Sequence, residues 1–280
     1  MSTGDEHLET VTAAGARVGG LLQRHIHSDG SIELLWSAAD NWQLFPDIGE
    51  TGTEGMDALL RAWRERLGGE RPGPDSSCTV NWPSHDAEAI RAFLDHGFVP
   101  ISTLAVRMAE PVEGGADGVT VRRAEPADFD DVLALAVATF DYTGLVGSRQ
   151  RGNTAELIAP QLSRKLAEGG PVWLAELGGT VAGLAECDWI DSTPGSWAAE
   201  LLSHGHWGYV NSVTTSPWAR GRGVGRTLMA LAHNEFHRAG AIGTYLYYNP
   251  PNPLSSVFWH RQGYRPLWTM WEVRPASALR

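Results

Sequence analysis

The chain has 280 residues, room for two ordinary domains, and its 42% hydrophobic and 20% charged content excludes a disordered or collagen-like protein. A net charge of −11 argues against duplex nucleic acid as a partner, because phosphate neutralisation needs clustered Lys and Arg. No apolar run reaches the roughly 18 residues of a membrane span, the N-terminal stretch lacks a secretory pattern, and Cys78 and Cys187 alone make neither a disulfide framework nor a zinc site; a cytoplasmic protein with no membrane partner and no metal is expected.

In chain order, residues 21–26 and 32–36 read as a hairpin turning at Ser28-Asp29-Gly30. Residues 56–67 place Leu59, Leu60, Trp63 and Leu67 on one stripe of an amphipathic helix. Residues 110–118 (EPVEGGADG) are acidic, rich in glycine and poor in large apolar side chains, the composition of a linker. Beyond them the pattern alternates. Strands are predicted at 119–123, 172–176, 180–190, 209–215, 244–248 and 266–273, with a hairpin turn at Gly178-Gly179. Helices are predicted at 128–140, 154–168, 224–237 and 253–262. The fold class expected is α/β (α+β), a mixed sheet with flanking helices. Charge divides at the same place: 19 acidic and 8 basic residues precede Val119, and 14 of each follow. A polyanionic ligand belongs with the neutral second part.

An internal repeat runs at an offset of 166 residues. Asp86 falls on Asn252, Phe93 on Trp259, Gly97 on Gly263, Phe98 on Tyr264 and Pro100 on Pro266. Each copy reads as strand, Asx N-cap, helix, Gly terminator and strand start.

The strongest chemical motif is Arg220-Gly221-Arg222-Gly223-Val224-Gly225-Arg226, set between a predicted strand and a predicted helix. Glycines there let the backbone approach a ligand, and free N–H groups at a helix start face an anion such as a pyrophosphate. A P-loop would need Gly-Lys-Ser/Thr, and the dinucleotide fingerprint a Gly at position 226. Both are absent.

With these residues the chain resembles the GNAT superfamily of acyl-CoA-dependent N-acyltransferases. Arg220, Gly223 and Gly225 fit its Arg/Gln-x-x-Gly-x-Gly/Ala loop, and Asn252, Trp259, Gly263 and Tyr264 have the spacing of its last motif. The likeness covers about residues 119–273. It implies acetyl-CoA as co-substrate, inserted between the strands at 209–215 and 244–248. Val213, Thr214 and Thr215, the loop from Arg220 through Gly221, Arg222, Gly223, Val224 and Gly225 to Arg226, and Asn252, Ser255 and Trp259 would hold it. Residues 20–107 resemble a truncated second copy, with Glu50 and Glu54 where a pyrophosphate would be repelled. The expected division is a degenerate GNAT-like domain at 1–110, a linker at 111–118 and an N-acetyltransferase domain at 119–280.

The resemblance implies direct attack by the primary amine of a small molecule or peptide on the thioester. For the base the candidates are Glu186, which alternates with Asp188 onto one strand face, and His206, with His204 beside it. Trp259 stands where relatives carry a tyrosine that protonates the departing thiolate, and Ser255 shares its helix face. Asp141 and Tyr142 lie where relatives receive the acceptor. A non-catalytic CoA-binding or interaction protein, or a transferase of another acyl group, are the alternatives. Oligomeric state stays open, a homodimer included.

Overall fold

The structure, a computed structural model, describes residues 2–146 and 150–280. In chain order the elements are β1 (Ser2–Val11), β2 (Arg17–Ile26), β3 (Asp40–Asp47), α1 (Gly52–Leu67), β4 (Ser76–Pro83), α2 (Ala87–Asp95) and β5 (Val99–Met108). There follow β6 (Val119–Arg123), α3 (Phe129–Leu145), α4 (Thr154–Ala167), β7 (Val172–Leu177), β8 (Thr180–Ser192) and β9 (Gly205–Thr215). The chain goes on through α5 (Val224–Arg238), β10 (Gly243–Tyr248), α6 (Ser255–Arg261) and β11 (Arg265–Val273). This is a mixed α/β fold of sheet and flanking helices.

Two compact units form. One is Met1–Thr103 with Asn249–Pro251 and Pro266–Arg280; the other is Leu104–Tyr248 with Asn252–Arg265. The units therefore depart from the division at 110 and 119. Residues 266–280 join the first unit because β11 pairs antiparallel with β4 from Trp268↔Pro83 to Val273↔Cys78. Trp271 also stacks on Phe93 at 5.4 Å, and Val273, Ala276 and Leu279 complete that unit's core.

In the first unit, β1 and β3 flank β2 antiparallel, and β3 pairs β4 in parallel. The strand expected at 32–36 does not form. Ile32–Leu35 is instead a 3-10 turn that buries Leu34 and Leu35. The hairpin partner of β2 is β3, and β1, with only Leu8 and Val11 as large apolar residues, escapes an apolar-pattern reading. One face of the sheet takes α1, whose Met56, Leu59, Leu60 and Trp63 are fully buried.

In the second unit the strand order is β10-β9-β8-β7-β6. Only β9 and β10 pair in parallel; the other neighbours are antiparallel. Glycine sets the helix approach: a Cβ on Gly208 would lie 2.6 Å from the Phe236 ring of α5. Before α3, the Arg122 guanidinium forks onto both oxygens of Asp128 at 2.7 Å, and Asp128 also accepts the Glu125 N–H. That fork holds the carboxyl at about 2.

Residues 110–118 are not a free linker. The Asn234 side chain accepts from the Val112 N–H and donates to its carbonyl, both at 2.9 Å, and Thr227 Oγ1 accepts the Ala116 N–H at 2.9 Å. Composition alone hides this, because the anchors lie on α5, more than a hundred residues later. Asn234→Ala should raise hydrogen exchange at the Val112 amide about tenfold and cost about 1–2 kcal/mol in urea unfolding. Unchanged Val112 protection would show that the segment holds itself.

Candidate active site

The site grows from a parting of two strands. β9 and β10 pair from Trp207↔Gly243 to Val210↔Leu246 and no further. At that point β9 carries a bulge: Val210 faces Cys187 and Ser212 faces Glu186, leaving Asn211 as the extra residue. Beyond the bulge, residues 212–215 stay paired with β8 on one side only, so their other edge offers backbone groups to a ligand. In the first unit the last parallel pair is Leu44↔Val80, the same two positions shifted by 166. Asp86 accepts the Ala89 N–H there, and Asn252 accepts those of Leu254 and Ser255 here. Gly97 and Gly263 both terminate their helices at positive φ.

After β9 the chain turns through Pro217–Ala219 into α5. Gly221 and Gly223 adopt φ of +76° and +82°, which other residues resist, and nothing lies within 4 Å of a Cβ placed on Gly221. Gly223 is the N-cap of α5, so no side chain caps the helix and its first N–H groups remain open. Arg220, Arg222 and Arg226 are exposed around them, whereas the Val224 side chain is buried and leaves only its backbone to a ligand. The loop thus has the open donors and the charge that a pyrophosphate requires.

The other predicted site residues do not converge on one point. Val213 packs against the α5-side core, and Thr214 Oγ1 meets Thr139 Oγ1 of α3. A Cβ on Gly225 would lie 3.5 Å from Thr215 Oγ1 and 3.3 Å from the Phe258 ring, so glycine keeps this corner close-packed. Asn252 is engaged as the cap before α6, and Ser255, half-buried, supplies one of the capped N–H groups. Trp259 is buried against Phe258 and Tyr264, at 4.8 and 5.4 Å between rings. Tyr142 lies 5.8 Å beneath the Arg220 guanidinium, which puts it at the glycine loop, and Asp141 beside it is exposed.

The two base candidates are well separated. His206 bonds Asp191 at 2.6 Å, stacks on Trp189, and sits five residues before the bulge, about 16 Å along the strand. Glu186 is at the bulge. It is buried and ion-paired to Lys165 of α4 at 2.6 Å, and its second oxygen accepts the Asn211 side-chain N–H at 3.0 Å. Lys165 also reaches Asp188 at 2.6 Å and the Cys187 carbonyl at 3.2 Å. Burial lowers the Lys165 pKa, but Glu186 and Asp188 more than offset this, and the net shift is upward. The sequence gives no sign of Lys165: in the last turn of α4 it reads as a dipole-compensating cation. Cys187, fully buried, has its thiol pushed far up by desolvation, and holds no thiolate at neutral pH.

Comparison with known proteins follows the same lines. Residues 137–264 match the model of the acetyltransferase (GNAT) family. A GCN5-related N-acetyltransferase from Sphaerobacter thermophilus is similar in fold at 17% identity, covering 97% of this chain and 82% of its own, with a TM-score of 0.57. One from Kribbella flavida is similar at 15% identity, covering 96% of this chain and 89% of its own, with a TM-score of 0.51. A GNAT-family acetyltransferase from Colwellia psychrerythraea is similar at 10% identity, covering 96% and 84%, with a TM-score of 0.55. No curated protein sequence matches the chain. At such identities these structures speak for the fold, and the family rests on residues 137–264, where the strand parting, the bulge and the glycine loop all lie. Residues 137–264 of the chain are similar to the GNAT acetyltransferase family.

Proposed function

We propose that the protein is an N-acetyltransferase that moves acetyl from acetyl-CoA to a primary amine of a small molecule or peptide in a ternary complex. The observation that carries this reading is the parting of β9 from β10 beyond Val210 and Leu246, next to the uncapped, arginine-flanked start of α5. Those residues fit the co-substrate. The edge of residues 212–215 suits an amide-bearing arm, and Gly221, Gly223 and the first turn of α5 suit a pyrophosphate. Bound there, acetyl-CoA would supply a thioester carbonyl open to amine attack. The new C–N bond forms as the C–S bond breaks; the amine's proton is lost to a base, and the thiolate is protonated.

Glu186 is the better-placed base, since it lies at the bulge and His206 does not. The Lys165 and Asn211 contacts hold its carboxylate in one orientation, and a proton can leave through Asp188, which is half exposed. The first unit, with residues 1–110 as a degenerate copy, is proposed to bind no CoA. A second reading, a CoA-binding protein without turnover, draws support from Trp259, which offers no acid in a buried position.

The experiment is turnover: thiol release from acetyl-CoA across an amine panel, with mass spectrometry of the product. Cys187→Ser should keep kcat within about threefold, because a buried thiol with no thiolate fraction is no nucleophile. Loss of turnover in Cys187→Ser with CoA binding intact, or a stable acetyl-cysteine, would overturn direct attack.

A further inference from the structure

On β8, Gly183, Ala185 and Cys187 face α5, and Glu186 and Asp188 face the other way, where Lys165 of α4 meets them. The strand register continues that row: Asp188 lies opposite Tyr209, and Tyr209 opposite Tyr245. The Tyr209 and Tyr245 rings stack at 4.8 Å, and Tyr247 stands edge-on to both at 6.3 and 6.2 Å, making an aromatic corner. Tyr209 donates to Asn211 Oδ1 at 2.9 Å, which directs its hydroxyl toward the bulge and Glu186.

Two further observations show a place prepared for something. Tyr245 is only 1% exposed, its ring set against those of Tyr209 and Tyr247. Burial raises the Tyr245 pKa first, and Tyr209, Tyr247 and Asp188 add to it; burial likewise leads for Tyr209, followed by Tyr247, Glu186 and Asp188. Three hydroxyls and two carboxylates therefore converge within electrostatic reach. The charges there do not cancel. Two carboxylates face one ammonium, Lys165, so one negative charge is in excess, and the Asp188 side chain is 46% exposed. Tyr247, 37% exposed, leaves the aromatic corner open.

The geometry points to this corner of Tyr209, Tyr245, Tyr247, Glu186 and Asp188 as the acceptor site, shaped for a monocationic primary amine carried on a flat apolar body. This rests on the transferase reading for its purpose, though not for the binding itself. One unbalanced negative charge matches a single ammonium and not a polycation, and tyrosine faces attract both an ammonium and a planar apolar group. Acidic acceptors are repelled.

Phenethylamine is the probe, titrated by calorimetry into the CoA-loaded full chain. Saturable binding is expected, weakened about tenfold by Asp188→Asn and by Tyr247→Leu, with CoA affinity unchanged in both. Tyr247 is exposed, so its replacement keeps the test valid should Asp188→Asn disturb Lys165. In turnover, phenethylamine should exceed spermidine and an acidic peptide at least tenfold in kcat/KM. Binding that follows these substitutions without any acetylation supports the site and overturns the transferase reading. Unsaturable binding, indifference to both substitutions, or a preference for spermidine or the peptide would overturn the site.

Discussion

Titrated with CoA, the full chain should take up one equivalent, and Arg222→Glu should weaken that binding about hundredfold at low ionic strength. The expected size follows from replacing an attraction to phosphate by a repulsion, about 1–1.5 kcal/mol each at an exposed site. The effect should shrink as salt rises. Gly223→Glu is a poorer variant, because a Cβ at that positive-φ residue would lie 2.5 Å from the Ala116 Cβ and disturb the strap whatever binds. In the first unit the corresponding helix start is closed to an anion. Glu54 accepts the Ala14 N–H at 2.9 Å, the Glu88 carboxylate crowds Gly52, and Thr53 donates to the Glu88 carbonyl. Thr53→Ala should therefore leave CoA affinity unchanged. A stoichiometry of two would refute the inert first copy.

Stability in urea should fall as pH drops from about 6.5 to about 3, and His233→Gln should flatten that slope. Burial drives the His233 pKa down to about 3, with the Arg107 charge adding to it. The imidazole, 2% exposed, shares the Tyr264 hydroxyl at 3.0 Å and leaves Nδ1 without a partner among the described residues. The folded pKa lies below the unfolded one, so the contribution is complete above pH 6.5 and lost as pH falls through the folded value. One proton corresponds to about 1.4 kcal/mol per pH unit, several kcal/mol across the window. Asp128, whose folded pKa is also depressed, acts only below about 3.8, so the two groups separate on the pH axis. A slope unchanged in His233→Gln would place the acid sensitivity elsewhere.

Local chemistry made much of this molecule legible. The glycine loop, the helix it opens and the repeated strand–cap–helix–glycine unit are each written within a few dozen neighbouring residues. The parts that stayed hidden are contacts between distant residues. Thr79 pairs with Glu272, Val112 with Asn234, and Lys165 reaches a β8 carboxylate that reads as an ordinary strand end. β1 is hidden for another reason: in Ser2–Val11 only Leu8 and Val11 are large and apolar, too few to make an alternation. The tyrosine corner combines both difficulties, since Tyr209 and Tyr245 become neighbours only through parallel pairing.

The return of β11 to β4 also governs how the chain can be made. A ribosome adding roughly 5–20 residues each second takes about ten to forty seconds between the two strands. Through that interval β4 waits with one edge unsatisfied, while the whole second unit is being synthesised. A nascent chain released at residue 265 would hold a finished second unit and an unfinished first one, with Trp271 missing from its place on Phe93. Such a product presents the bare β4 edge, the kind of surface that chaperones and proteases recognise.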